Sequence, residues 1–256
     1  MIERATAIPL ACFPYSSTSH VVHWLTRHHG KISTLLKGAL RPRSPFLGEY
    51  DLFSTSELLY FAKRTHTLHT GKECTMLHRR DAFRTDWRAM QAASYLSVLF
   101  DKTTPEEAPQ PELFELFEQL LDLAEEYGRH PQFLVWAELR FCAHHGHSPH
   151  LDDCVLCAAK TDLRFCASQG GVVCVSCSKA RKLPTLESPP DVLSMLCAWK
   201  QAEHPAPAVN VRLSSSQSAY IDAVLSTFMM YQFNLPLELR SAVISEAGQK
   251  ICSRDP

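Results

Sequence analysis

The sequence predicts an α+β protein in which a β-rich first third is followed by helices, with a small cysteine module inserted between them. Three observations lead to this fold class. Short apolar runs broken by glycine and proline fill residues 1–80, a helical apolar period begins after residue 81, and two C-x2-C pairs lie within residues 151–183. We therefore divide the chain into a β domain at 1–80, a helical domain at 81–150 and 184–256, and a metal-binding module at 151–183.

The β-rich segment contains five apolar stretches whose lengths suit strands. Turn-forming residues such as Pro14, Gly30 and Gly38 separate them. Strands of this length and spacing indicate a small antiparallel barrel or a sandwich. The five stretches are residues 5–13, 20–27, 31–36, 49–61 and 65–78.

Beyond residue 81, apolar side chains recur at the spacing of amphipathic helices. The clearest stripe covers residues 113–127, and further helices are predicted at 133–141, 192–199 and 220–228. The first of these helices is acidic on its polar face, which we expect to be solvated. The acidic residues are Glu112, Glu115, Glu118, Asp122, Glu125 and Glu126.

Cys154, Cys157, Cys174 and Cys177 form two pairs with sixteen residues between them. This spacing is typical of zinc sites, because a two-residue gap lets a tight turn point both sulfurs at one ion. Four protein thiolates complete a tetrahedron and leave no position for water, so the predicted Zn²⁺ site is structural and not catalytic. Sulfur ligands alone would also suit iron. Cys166 lies between the pairs and is expected to pack inside the module.

Composition indicates a globular protein of a reducing compartment. Of 256 residues, 45% are hydrophobic and 21% are charged, and no apolar run is long enough to span a bilayer. The first residues lack the features of a signal peptide, and ten cysteines without an export signal favour metal binding over disulfides. We therefore expect a cytoplasmic protein.

Charge is distributed unevenly along a chain whose net charge is −1. Residues 1–80 contain eleven Lys and Arg against five Asp and Glu, whereas residues 81–150 contain five against twelve. A basic first third on a nearly neutral protein predicts a local surface for a polyanion such as DNA. Tyr15, Trp24, Phe46 and Tyr60 could stack with bases, although the positions of Trp24 and Tyr60 favour the barrel core. The predicted DNA-contacting residues are Lys31, Lys37, Arg41, Arg43, Lys63, Arg64, Arg79 and Arg80.

Three segments stand out beside the paired cysteines: the basic stretch Lys-Gly-Ala-Leu-Arg-Pro-Arg-Ser at 37–44, residues 141–149 before the first cysteine pair, and the phenylalanine and paired glycines within 165–171. Together they resemble the RecO family of bacterial recombination mediators. The first is similar to the family's segment after its third strand, the second to the helix end before its zinc knuckle, and the third to its ribbon. The resemblance covers nearly the whole chain. One departure is Leu40, which stands where relatives usually carry a basic residue.

This resemblance implies that residues 1–80 form an OB-fold and that the protein binds single- and double-stranded DNA and anneals complementary strands. It further implies that the protein acts with RecR to help load the recombinase RecA onto DNA coated by single-strand-binding protein. A nucleoid-associated location in the bacterial cytoplasm would follow.

The residues themselves contain no P-loop, GxSxG or HExxH pattern, which disfavours an ATPase, a serine hydrolase or a zinc protease but not every enzyme. The basic first third, the order of strands before helices and the closed four-thiolate site lead us to expect a DNA-binding protein that is not an enzyme. Two other functions stay open. One is a nucleic-acid-modifying enzyme, such as a nuclease, that uses the zinc ribbon to place its substrate. The other is a protein-interaction adaptor whose basic loop is incidental. The histidines within 144–150 lack the spacing of a helical metal site, and we interpret them as a solvated helix end.

Overall fold

The computed structural model describes residues 1–63, 68–236 and 240 of the chain. Contacts divide the chain into two units, Met1–Glu126 and Tyr127–Pro256. The β-rich segment and the first helices belong to the first unit, and the cysteine module belongs to the second. The three-part domain division drawn from the sequence stays a prediction.

Five strands of the first unit are β1 (Ile2–Ser16), β2 (Ser19–Thr26), β3 (Gly30–Leu36), β4 (Thr55–Phe61) and β5 (Leu68–His78). They close into a barrel in the order β1-β2-β3-β5-β4, and all neighbours are antiparallel except β3 and β5. The long strand β1 closes the barrel, because its first half pairs with β4 and its second half pairs with β2. This five-stranded arrangement is OB-like, and the predicted α+β fold class is confirmed.

Aromatic side chains fill the barrel interior. Trp24 and Tyr60 are 0% and 2% exposed, and the Trp24 indole Nε1 donates to Thr34 Oγ1 at 2.8 Å. A buried indole N–H needs such a partner, and Thr34 supplies it from the neighbouring strand. Both rings are therefore core residues and are not available to stack with bases.

Three helices of the first unit follow the barrel: α1 (Ala82–Thr85), α2 (Trp87–Thr103) and α3 (Pro111–Tyr127). The Asp86 carboxylate caps α2 by accepting from two N–H groups of its first turn. Helices α2 and α3 pack through their apolar stripes, where the fully buried rings of Phe100 and Phe117 lie 4.5 Å apart. The helical period predicted at 113–127 is confirmed. None of the described helices has the length and apolar content required to span a bilayer.

The acidic face of α3 contacts the barrel. Arg27, in the turn after β2, lies 3.1 Å from Glu115 Oε1 and 3.2 Å from Glu118 Oε2. The Arg80 Nε donates to Asp122 Oδ1 at 2.7 Å. The predicted solvated face is largely confirmed, because Glu112, Glu115, Asp122 and Glu126 are exposed, but it also meets basic side chains of the first eighty residues. Part of the positive charge in that segment is thus neutralised within the first unit.

The second unit consists of α4 (Pro131–His144), β6 (Leu163–Cys166), β7 (Gly171–Cys174), α5 (Val175–Ala180), β8 (Leu186–Glu187), α6 (Pro190–Gln201), α7 (Ala206–Val209) and α8 (Ser215–Phe233). The strands form a ribbon in the order β7-β6-β8. Ser214 and Gln217 form a capping box that begins α8. The helices predicted around 192–199 and 220–228 and the ribbon are confirmed.

An ion-pair network is buried in the second unit. Arg240 Nε donates to both carboxylate oxygens of Glu138, at 2.9 and 3.0 Å, and Arg240 Nη1 donates to Asp222 Oδ1 at 2.9 Å. The Glu138 side chain is 0% exposed and that of Arg240 is 4% exposed. Residues 102 positions apart in the chain are therefore joined in a site that water does not reach.

Candidate metal centre and nucleic-acid interface

Two tight turns bring the predicted metal ligands together. At the first, the N–H groups of Cys157 and Ala158 donate to the Cys154 carbonyl at 3.3 and 2.8 Å, and Ala158 has a left-handed φ of 59°. At the second, Cys174 precedes α5 and its Sγ accepts from the Cys177 N–H at 3.4 Å. In each case the two-residue gap closes a turn, as the spacing predicted.

The four Sγ atoms of this cluster all lie within 4.8 Å of one another. A tetrahedral ion with metal–sulfur bonds of about 2.3 Å needs its sulfurs about 3.8 Å apart. The Sγ atoms of Cys157 and Cys174 lie 3.6 Å apart, which fits that requirement. The four cysteines are therefore positioned to bind a metal ion, with Cys154 and Cys174 buried and Cys157 exposed.

The thiols also affect one another's ionisation. Burial opposes ionisation of Cys154, but backbone N–H donors outweigh it and lower the pKa of this thiol to about 6. The sulfurs of Cys174 and Cys157 raise the pKa of Cys177 to about 12. Because thiolates at this distance repel one another, a cation is needed to keep all four ionised. The donor set thus fits a metal ion.

The ribbon holds the first turn in place. The Val155 N–H donates to the Val172 carbonyl of β7 at 3.0 Å. At Gly171, a Cβ atom would lie 2.2 Å from the His150 carbonyl oxygen, so this close approach of two backbones requires glycine. Cys166 is 0% exposed and packs in the apolar cluster beneath the metal ligands, which confirms the packing role predicted for it.

The segment after β3, residues 37–49, is here named the basic loop. Pro42 and Pro45 each occupy the second position of a turn, where the fixed φ of proline is favourable. Such consecutive turns give the loop a defined path. Four N–H groups donate to the carbonyl three residues earlier, at distances between 3.0 and 3.3 Å: those of Arg41, Ser44, Leu47 and Glu49.

The basic loop has apolar side chains buried in the barrel core and basic side chains exposed to solvent. Ala39 and Phe46 are 0% and 3% exposed and pack in the barrel core. Lys37, Arg41 and Arg43 are exposed, and no carboxylate among the described residues pairs with them. Unpaired cations on an anchored loop are available to phosphate groups. The structure therefore brings together three of the residues predicted to contact DNA.

Lys72, a cation that the sequence also offers to DNA but that is outside the set of predicted contacts, is exposed on β5. Strands β3 and β5 are parallel, and Leu35 lies opposite Thr70. Because Lys37 and Lys72 are each two residues further along the chain, their backbones lie at the same level of the barrel. Lys72 is also the extra residue of a bulge, because Gly71 pairs with β4 and the next pairing comes two residues later. An isolated glycine in a strand often marks a bulge, so Gly71 is the signal in the sequence from which this bulge could be predicted.

Comparison with known proteins identifies the family. A family model described as Recombination protein O N terminal matches residues 1–80, and one described as Recombination protein O C terminal matches residues 84–238. The chain belongs to the RecO family. The resemblance stated from the sequence is therefore confirmed, and family membership supports a role in DNA repair and recombination.

Curated RecO relatives match most of the chain, and each is named DNA repair protein RecO. The protein of Syntrophus aciditrophicus is 32% identical over 195 residues, which cover 75% of this chain and 73% of the relative. That of Exiguobacterium sibiricum is 31% identical, covering 68% and 70%, respectively. That of Myxococcus xanthus is 31% identical over 210 residues, covering 78% and 83%.

Other predicted DNA contacts of this RecO family member lie outside the basic loop. Lys31 Nζ donates to the Asp101 carbonyl at 2.6 Å, and its side chain is 12% exposed. Arg79 Nε lies 3.0 Å from an oxygen of Asp81. Lys63 is exposed beyond the end of β4, and Arg64 lies outside the described residues. DNA contact by these four residues stays a prediction.

Arg80 is the predicted DNA contact that the structure places inside. Its side chain is 0% exposed, and its guanidinium donates to the Phe53 carbonyl at 2.6 Å, to Thr55 Oγ1 at 3.2 Å and to Asp122. A phosphate group cannot reach this guanidinium unless these bonds break. The structure gives Arg80 a structural role, and we leave it out of the DNA surface proposed below.

Replacing Arg80 with methionine is expected to lower the free energy of unfolding by about 1–3 kcal/mol, because the buried Phe53 carbonyl loses its donor. The salt dependence of DNA binding should not change, since no phosphate contact is removed. Chemical denaturation and a salt titration of DNA binding measure the two quantities. A shallower salt dependence without loss of stability would return Arg80 to the DNA surface.

Proposed function

We propose that this chain is a non-enzymatic DNA-binding protein of recombinational repair that holds DNA on the basic loop of its barrel. The observation that carries this proposal is the set of three exposed, unpaired cations, Lys37, Arg41 and Arg43, on a loop fixed by turns and by two buried anchors. Other basic residues of the first eighty, such as Arg27 and Arg80, are neutralised by carboxylates of α3. Among the described residues of the first eighty, exposed Lys and Arg side chains without an ion-pair partner are therefore these three together with Lys63 and Lys72, and only the basic loop carries three of them in seven residues.

The four-cysteine site is proposed to hold one structural Zn²⁺ ion. The closed thiolate set supports this, because it leaves no position at which substrate or water could bind the metal. In this proposal the residues that hold the ion shape the ribbon and take no part in a reaction. Iron is the alternative ion that the same ligands would accept.

Finer steps of the proposed function are supported by family membership and by the sequence. They are annealing of complementary strands, and action with RecR to load RecA onto DNA coated with single-strand-binding protein, in the bacterial cytoplasm. An annealing assay with labelled complementary oligonucleotides tests the first step.

Within the described residues, no carboxylate cluster has the arrangement of a cation site, which disfavours the nuclease alternative. Incubation of labelled DNA with Mg²⁺ should accordingly give no cleavage product.

Replacing Lys37, Arg41 and Arg43 together with alanine is expected to weaken single-strand binding and to reduce its salt dependence. Each lost phosphate contact lowers the slope of log affinity against log salt by about 0.7, so three contacts lower it by about 2. Fluorescence anisotropy of a labelled oligonucleotide at several salt concentrations measures this slope.

A matched control is available in the second unit, where Lys179, Arg181 and Lys182 are also exposed. The corresponding triple alanine variant should retain the slope of the unmodified protein. An equal loss of slope in both variants would mean that binding depends on total charge and not on the basic loop.

A further inference from the structure

An exposed aromatic side chain lies on the rim of the barrel that carries the basic loop. Tyr15, near the end of β1, is 63% exposed. The pairing of β1 with β2 shifts register between Pro14 and Ser16, so Tyr15 is the extra residue of a bulge. Bulges at barrel rims redirect a side chain out of the regular alternation. The exposure of this large ring is thus built into the strand pairing.

The strand register places Tyr15 beside the cations. Pro14 lies opposite His20 on β2, which lies opposite Leu36 on β3, and Lys37 is the next residue. Two strand spacings of about 4.8 Å therefore separate the backbones of Tyr15 and Lys37 by about 10 Å.

Hydrogen bonds hold the hairpin tip and the basic loop together. The Leu40 N–H donates to the Thr18 carbonyl at 3.1 Å, and the Gly38 N–H donates to Ser19 Oγ at 3.0 Å. The hairpin that carries Tyr15 and the loop that carries the cations are thus fixed to each other.

Two further apolar side chains of the same strand and of the basic loop are exposed. Phe13, two residues earlier on β1, is 46% exposed, and Leu40 of the basic loop is 49% exposed. Cations bind phosphates, whereas exposed rings and aliphatic groups bind the faces of bases. Duplex DNA offers phosphates but keeps its bases stacked, so only a single strand offers both groups. The charge and the apolar surface together match a single strand.

We propose that Tyr15 is a specificity-determining residue that selects single-stranded over duplex DNA by stacking against an unpaired base. This proposal rests on the DNA-binding function proposed above. The cations of the basic loop hold the phosphates of either form of DNA, and the ring adds binding only where a base is free. Leu40 provides apolar contact beside that base, which gives a role to a side chain that cannot bind phosphate.

The test compares Tyr15→Ala and Tyr15→Phe on three probes of equal length: oligothymidylate, a duplex, and a strand made of abasic nucleotides. Loss of one stacked base should weaken oligothymidylate binding by Tyr15→Ala about 5- to 150-fold. Duplex affinity, the salt slope and the melting temperature should stay unchanged, because Tyr15 is exposed and uncharged. Tyr15→Phe should bind like the unmodified protein, and all three proteins should bind the abasic strand equally.

A matched control is Tyr231→Ala, which removes an exposed tyrosine of α8 in the second unit and should alter none of these affinities. Equal weakening of single-strand and duplex binding by Tyr15→Ala, or weakening that persists on the abasic strand, overturns the stacking role. In that case the triple alanine variant of Lys37, Arg41 and Arg43 would still test the role of the basic loop in DNA binding independently. If the unmodified protein binds none of the three probes, the DNA-binding function and the role of Tyr15 both fail.

Discussion

Replacing Cys174 with serine is expected to abolish metal binding and to unfold the ribbon of residues 151–183. Cys174 links several parts of the ribbon: it is the last residue of β7, its Sγ caps α5, and it is buried in the same apolar cluster as Cys154. The apparent binding energy of a structural zinc ion in small zinc modules is about 10–16 kcal/mol, which is comparable to the whole stability of a domain. Elemental analysis should show the metal content falling from about one ion per chain to near zero.

Two other cysteines serve as controls for this experiment. Cys197 lies on α6 outside the ribbon, and Cys166 lies inside the ribbon but apart from the four ligands. Cys197→Ser should leave metal content and folding unchanged, and Cys166→Ala should keep the metal while lowering stability through lost packing. Full metal content in Cys174→Ser would falsify the four-ligand site. Iron in place of zinc in the unmodified protein would change the identity of the ion but leave the site intact.

The features that the sequence predicted correctly are local ones. The spacing of Cys154, Cys157, Cys174 and Cys177 determines two tight turns, and each turn forms from a few neighbouring residues. The helical stripe at 113–127 likewise depends only on the period of its apolar residues. Residue types and spacing suffice in such cases, because the interactions that matter lie within a turn or a helix.

The features that the sequence did not predict depend on partners far apart in the chain. Arg80 looked like a free cation, but it lies inside because Asp122 and the Phe53 carbonyl meet it there. The level of Lys72 beside Lys37 follows from the pairing of β3 with β5, and strand register depends on pairing in three dimensions. Counting charges in the first eighty residues therefore overestimates the number of cations that are exposed and unpaired.

Breaking the buried pair of Glu138 and Arg240 should have the largest effect on stability among the ion pairs of the described residues. The Arg240→Met variant would leave the Glu138 carboxylate, which is 0% exposed, without the guanidinium that binds both of its oxygens. Removing one partner of a buried pair costs about 3–5 kcal/mol, because the remaining carboxylate loses the charge-assisted hydrogen bonds of this guanidinium in a place where water does not replace them. Chemical denaturation followed by circular dichroism measures the loss.

Two further variants separate burial from charge. The double variant Glu138→Leu with Arg240→Met removes both charges and should recover most of the lost stability, since apolar side chains of similar volume replace buried pairs at little cost. Arg164→Met breaks a pair whose partner Glu187 is 84% exposed, and it should change stability by about 0–1 kcal/mol. If Arg240→Met were as mild as Arg164→Met, the Glu138 site would have to admit water. The buried network would then contribute little to holding Arg240 against α4 and α8.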